Sequence, residues 1–238
     1  MPRLPAHRSP LTACQVVNSS GPIGVLGGTF DPIHFGHLRL AHEIGHALKL
    51  DEVRFVPSGT PPHRGQPWAS AAERLTMVKL AIEGNPLFTA DDREMHRAGP
   101  GYTVDTLNDL RREFGATRPL VLLLGADAFL ELATWSRWHE LFTLAHIVIA
   151  HRPGFPVDAW HSRMPQPLAK EYSARLMQQP FAVHLAPSGG VAVSAITALD
   201  ISATLIRDAV HSGASPRYLL PDSVLDYIRT KGLYSGGK

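Results

Sequence analysis

Cysteine is almost absent: Cys14 stands alone in 238 residues. One cysteine cannot build an intramolecular disulfide framework, and its scarcity suits a reducing cytosol. Long hydrophobic runs are also missing. Nothing approaches the roughly 18 to 20 consecutive apolar residues of a membrane-spanning helix, so no membrane role is expected. Neither sign of charge dominates, with 23 basic residues against 21 acidic ones and a formal net charge of +2. That balance gives no support to a nucleic-acid or membrane surface, and any phosphate binding has to be local. There are no internal repeats, no Cys-x-x-Cys pairs and no evident catalytic triad or paired catalytic carboxylates.

The first 22 residues contain no acidic residue and carry Pro2, Pro5, Pro10 and Pro22. They lack the apolar core of a secretory signal. They read as a disordered extension or a misassigned start, with an organellar address as the weaker alternative. Residues 23–238 then form a single domain, within the length that single α/β domains reach. Hydrophobic residues make up 44% of the chain, enough to bury a core, and charged residues 18%, an ordinary globular composition. Monomer and homo-oligomer are equally open.

Ile23 to Leu26 is a short apolar run ending in Gly27-Gly28, as a buried strand running into a tight turn would. From Gly36 the periodicity becomes helical, with Leu38, Ala41, Ile44 or Gly45, and Leu48 on one face. Val53 to Val56 reads as the next strand. Helices are predicted around Ala72–Ile82 and Thr103–Phe114, with strands near Phe88, at Leu120–Leu124 and at His146–Ala150. Gly154 to Gln179 is Pro-rich and weakly periodic, an irregular helical excursion. Phe181–Leu185 and Val191–Ile196 could each be strands, and helices over Ser202–His211 and Pro221–Arg229 close the chain. Alternating strands and helices predict a Rossmann-like, doubly wound parallel sheet covered by helices on both faces. Ligands on such sheets bind beyond the carboxyl ends of the strands, where the strand order reverses.

Two segments carry the chemistry. The first, Gly27-Gly28-Thr29-Phe30-Asp31-Pro32-Ile33-His34-Phe35-Gly36-His37, joins the first strand to the first helix. Glycines let backbone approach a ligand. His37 falls in the first helical turn, where unpaired N–H groups favour an anion, and His34 can face the same pocket. Together they make a cationic or donor-rich cradle. The bland alternative is a glycine turn with Asp31 capping a helix and two incidental histidines. The second segment is Ile201-Ser202-Ala203-Thr204-Leu205-Ile206-Arg207, with Ser202 as an N-cap, an apolar stripe of Leu205, Ile206, Ala209 and Val210, and Arg207 leaning back toward the helix start. By itself it reads equally well as a capped surface helix.

The first segment resembles the T/H-x-G-H signature of the nucleotidyltransferase α/β phosphodiesterase superfamily. The second resembles the late I-S-x-T-x-x-R motif of one member family, nicotinate-nucleotide adenylyltransferase, and the likeness runs from about Gly24 to Tyr234. The resemblance implies adenylyl transfer from ATP to nicotinate mononucleotide, a step of NAD biosynthesis, in the cytoplasm. It places ATP among Gly28, Thr29, Phe30, His34, His37, Asp127, Ser202, Thr204 and Arg207, with His34, His37 and Arg207 as the catalytic donors. Asp127 could equally cap the next helix. The mononucleotide falls to Gly59, His63 and Arg64 in the loop after the second strand, to Thr103 and Ser136 through backbone amides, to Trp135 by ring stacking, and to Arg152 after the strand at His146. Gly59 stands where the family often has asparagine, so any contact from that side chain is lost. Trp138 is the better core tryptophan. Mg2+ is expected on the phosphates, with no ligands from protein side chains. The alternatives are a sister adenylyltransferase acting on nicotinamide mononucleotide or phosphopantetheine, and a catalytically silent nucleotide-binding module of the same fold. A dinucleotide-binding oxidoreductase is disfavoured, because Gly27-Gly28 does not continue as G-x-G-x-x-G.

Overall fold

The computed structural model describes residues 21–60, 65–151, 162–197 and 199–236. Six strands, β1 (Ile23–Gly28), β2 (Glu52–Pro57), β3 (Phe88–Ala90), β4 (Leu120–Gly125), β5 (His146–His151) and β6 (Val191–Ala195), form one sheet in the order β3-β2-β1-β4-β5-β6. Every pairing is parallel. The helices are α1 (Phe35–Ala47), α2 (Ala71–Ile82), α3 (Thr103–Phe114), α4 (Ala126–Leu130), α5 (Trp138–Leu144), α6 (Gln166–Arg175), α7 (Ala203–His211) and α8 (Asp222–Lys231).

Parallel strands are buried on both faces, so their side chains are apolar throughout and alternate between two cores. On β4, Val121 and Leu123 join the core under α1, α2, α7 and α8, where Ile44, Met77, Ile206 and Leu225 pack. Leu120, Leu122 and Leu124 point the other way, toward Leu107 of α3, Phe142 of α5 and Leu168 of α6. The strand order reverses between β1 and β4. Those two strands pair only over Ile23–Val25 and Leu120–Leu122. Beyond that, Leu26–Gly28 stay with β2 and Leu123–Gly125 with β5, so a crevice opens between the carboxyl ends of β1 and β4.

The sequence reading holds for the strand-and-helix frame and departs from the structure in four places. Phe181–Leu185 is no strand: Pro180–His184 is a 3-10 turn, with Val183 buried and Leu185 86% exposed. A run with one inward side chain cannot fill both faces of a parallel sheet. The excursion after β5 includes a regular helix, α6. Short α4 and α5, and the turns at Arg93–His96 and Leu132–Thr134, escaped the pattern because they span too few residues to show a period. Leu205 belongs to no buried stripe, since it is half-exposed while Ile206 is fully buried.

The loops at the carboxyl edge are held by Arg74, a buried arginine in the first turn of α2. Its guanidinium donates to the carbonyl oxygens of Thr29 at 2.7 Å, Ser58 at 2.7 Å, Gly59 at 3.1 Å and Ala69 at 3.3 Å. The loops after β1 and β2 are thereby tied to the start of α2. Apolar replacement leaves four buried acceptors to be satisfied anew, so Arg74→Met is expected to lower the unfolding free energy by about 3 kcal/mol or more in urea titration.

Candidate active site

The site is built where β1 turns into α1. Asp31, which is 5% exposed, does not cap α1. Its carboxylate accepts instead from the backbone N–H groups of Trp68 at 2.7 Å and Ala69 at 3.1 Å, and from the Tyr234 hydroxyl at 2.7 Å. Two segments distant in sequence, at Trp68-Ala69 and at Tyr234, are thus gathered under the loop. His34 is the N-cap residue of α1 and makes no side-chain capping bond, which leaves its ring to lie against that of His37 one turn on. The two rings stack with centroids 3.8 Å apart and planes 28° from parallel. Phe30 meets the His37 ring edge-on at 5.0 Å. Phe30 is otherwise a core residue, 2% exposed.

The His34 ring is a donor more than a cation. Burial holds the His34 imidazole at about 4, below its ordinary value near 6.5, and its buried Nδ1 has no hydrogen-bond partner. A neutral imidazole still offers one N–H and one lone pair. An arriving polyanion supplies the missing partner for His34 and favours its protonated form.

The second motif reaches the first directly. Ser202 caps α7, its hydroxyl accepting from the Leu205 N–H at 3.1 Å. Arg207 donates to Thr204 Oγ1 at 3.0 Å and crosses to the Asp31 carbonyl at 2.7 Å, a contact spanning 176 positions of sequence. Spacing alone could not have revealed that meeting. A cavity of about 250 Å³ opens beside it, between α1 and the carboxyl ends of β4 and β5. Leu40, Leu130, Ile196, Leu199 and Ile201 give it apolar walls, while His34, His37, Asp127, His151 and Arg163 supply polar groups. Asp127 lies in the first turn of α4, whose cap, Gly125, makes no side-chain bond, so the helix-capping role for Asp127 does not hold.

A cytidylyltransferase-like family model matches residues 25–209, well over half of the chain. A Dechloromonas aromatica protein named "Probable nicotinate-nucleotide adenylyltransferase" is 52% identical over 215 residues, 90% of this chain and 98% of its own length. A Halorhodospira halophila protein of the same name is 45% identical, over 89% of this chain and 94% of its own. The chain belongs to the nicotinate-nucleotide adenylyltransferase family. In fold it is similar to a solved structure of Plasmodium falciparum nicotinic acid mononucleotide adenylyltransferase complexed with NaAD, with TM-score 0.68, 17% identity and coverage of 91% of this chain and 98% of that one.

Of the residues that the family resemblance assigns to a mononucleotide, the described ones, Gly59, Thr103, Trp135 and Ser136, do not line the cavity. The Gly101 N–H donates to the Thr60 carbonyl at 3.0 Å, and Thr60 bridges Pro100, which joins the Gly59 loop to the segment leading into α3. Thr103 opens α3, whose first amides lack partners within the helix. An ion pair between Arg137 and Asp105 ties the Trp135-Ser136 segment to that helix start. Trp135 is partly buried at the edge of the second core, and Trp138 is a core residue at 8% exposure, as the sequence suggested. His63, Arg64 and Arg152 lie outside the described residues. The sequence reading missed His151 and Arg163 in the cavity wall. His151 ends β5, and the rule that ligands sit at carboxyl ends of strands would have flagged it. Arg163 follows a stretch with no readable pattern. Among the described residues, no group of three or more His, Cys, Asp and Glu side chains is placed to hold a metal ion, and no helix is long and apolar enough to cross a membrane.

The His34 shift has a pH signature. Its folded-state value lies below its unfolded one, so the unfolded chain binds the extra proton between about pH 6.5 and 4, and acidification through that window costs stability. Comparing the wild type with His34→Asn by chemical denaturation at several pH values should show the wild type losing stability relative to the variant as pH falls through this window, with a constant difference above it.

Proposed function

We propose that residues 23–238 act as one nucleotidyltransferase domain that joins the AMP half of ATP to the phosphate of nicotinate mononucleotide. The observation that carries this reading is the bond from Arg207 to the Asp31 carbonyl, which brings the two phosphate-directed helix starts together beside a cavity at the sheet's switch point. The apolar walls of the cavity suit a purine, and His34, His37 and Arg207 then face the triphosphate. Thr103, Trp135 and Ser136 take the pyridine ring and its carboxylate, since backbone N–H groups donate to a carboxylate and disfavour an amide that brings donors of its own.

The second pKa of a phosphate monoester is about 6, so the attacking oxygen is already ionised at neutral pH and needs no general base. Its bond to the α-phosphorus of ATP forms as the bond from that phosphorus to the β-bridging oxygen breaks, and pyrophosphate leaves. The barrier is one of charge and alignment. His34 and His37 donate hydrogen bonds to phosphate oxygens, and Arg207, held by Thr204 and the Asp31 carbonyl, stabilises charge as it develops. The side chains around this region are mainly donors, which suits Mg2+ carried by the phosphate oxygens, with Asp127 the acidic side chain in the cavity wall. When bound, the ion would neutralise charge on the departing pyrophosphate. The compartment is the cytoplasm.

The test is pyrophosphate release from ATP and Mg2+ with nicotinate mononucleotide, nicotinamide mononucleotide and phosphopantetheine supplied separately. Release with nicotinate mononucleotide well above the others is expected, and release with none of the three would sink the reading. His37→Ala should cut kcat by about 100-fold, the loss typical of removing one oriented donor from a charge-stabilising site, with unfolding little changed.

A further inference from the structure

Behind the mononucleotide segments lies a buried carboxylate that no part of the adenylyl transfer uses. Glu94, in the 3-10 turn after β3, is 8% exposed. Its Oε1 accepts from the Thr106 hydroxyl at 2.5 Å, and the Gly59 N–H faces its carboxylate. Thr106 in turn takes a hydrogen bond from Arg97 at 3.1 Å, and Arg97 pairs with Asp109 at 2.5 Å. The network is satisfied at each of these groups and is anchored on α3.

The two glycines beside Glu94 show how closely the loops close on it. A Cβ at Gly101 would stand 2.3 Å from Glu94 Oε2, and a Cβ at Gly59 would stand 2.3 Å from the Glu94 carbonyl oxygen. Neither position admits a side chain while Glu94 keeps its place. The glycine that stands where the family often has asparagine therefore has a local cause: the loop after β2 lies directly on the Glu94 backbone. Burial pushes the Glu94 carboxyl up, and the Thr106 hydroxyl, the Arg97 charge and the Gly59 N–H offset part of that cost. Apolar packing would avoid the cost altogether. What a carboxylate provides here is a directional bond to the first turn of α3 and a negative charge facing the Gly59 N–H, packed against Gly101.

We propose that Glu94 is a positioning residue for the pyridine mononucleotide: it fixes the Gly59 loop against the start of α3, so that Gly59 and Thr103 meet the substrate in one preset geometry. The inference rests on the assignment of those segments to nicotinate mononucleotide. Loops whose relative position is set before binding spare the substrate the cost of ordering them.

Steady-state kinetics on Glu94→Ala, Glu94→Gln and Thr106→Val, with Trp135→Ala as a reference, test it, each substrate being varied separately and thermal unfolding recorded for each variant. Glu94→Ala should raise the KM for nicotinate mononucleotide about tenfold, the effect of losing a buried hydrogen bond that fixes a binding loop, with kcat and the KM for ATP within about twofold. Thr106→Val should raise it in the same direction, and Glu94→Gln by less, because the amide oxygen can still accept the Thr106 bond. Should Glu94→Ala fail to fold, Glu94→Gln decides by the same criteria. Parallel rises in both KM values that track a fall in melting temperature would overturn the proposal in favour of a purely structural role. If Trp135→Ala raises the mononucleotide KM while no Glu94 variant does, the proposal fails and the subsite assignment stands; if neither moves it, the assignment fails as well.

Discussion

A single buried cation, the Arg74 guanidinium, fixes the geometry of the carboxyl edge. Burying a charge is costly unless its donors are used, and Arg74 uses them on four backbone carbonyls from three segments. Carbonyls of irregular loops would otherwise need water, which a site handling two polyanions has reason to exclude. Asp31 complements it with the opposite polarity: the buried carboxylate collects N–H groups from Trp68 and Ala69 while Arg74 collects the carbonyls of Thr29 and Ala69. Burial draws the Arg74 guanidinium down from its ordinary value, and the charges of Asp31 and Glu94 oppose that shift. The two groups act as one clamp closing the β1 loop onto the start of α2.

The frame was legible because parallel strands and amphipathic helices leave strong patterns. Leu120 to Leu124 could be read as a buried strand from composition alone, and Thr103 to Phe114 as a helix from its period. Phe181 to Leu185 misled because apolar residues in a short run carry no information about direction, and here Phe181 and Leu185 are exposed while only Val183 is buried. The chemistry divides along a similar line. His34 and His37 were visible because they are close in sequence and lie at a helix start. Arg74 and Glu94 were not visible: in Ala-Glu-Arg-Leu and Arg-Glu-Met they look like the solvated face of a helix, and only the fold buries them. Residue type predicted a charged surface in both cases, and tertiary packing reversed it.

The site reading also narrows between sequence and structure. Two histidines beside a helix N-terminus leave the cradle either cationic or donor-rich, and burial, which lowers the His34 imidazole to about 4, makes His34 a neutral donor near neutral pH. A donor that stays neutral until an anion arrives avoids the self-repulsion of two adjacent imidazolium rings in the free protein. In the proposed reading the charge is recruited when the phosphate enters, from Arg207 and from the proton that the anion itself stabilises on the ring.

Arg207 is the point at which these constraints converge. One terminal nitrogen is held by the Asp31 carbonyl and the other by Thr204, so its plane is set before any ligand binds. The Asp31 carbonyl belongs to a residue whose side chain is itself fixed by Trp68, Ala69 and Tyr234. The position of the guanidinium thus follows from the β1 loop, the segment before α2 and the segment after α8 together. For a reaction whose barrier is alignment and charge, a rigid donor is worth more than a strong but mobile one, because the reorganisation has been completed by folding. The same reasoning explains why a reaction that needs no general base still requires so many buried polar contacts behind the groups that meet the phosphates.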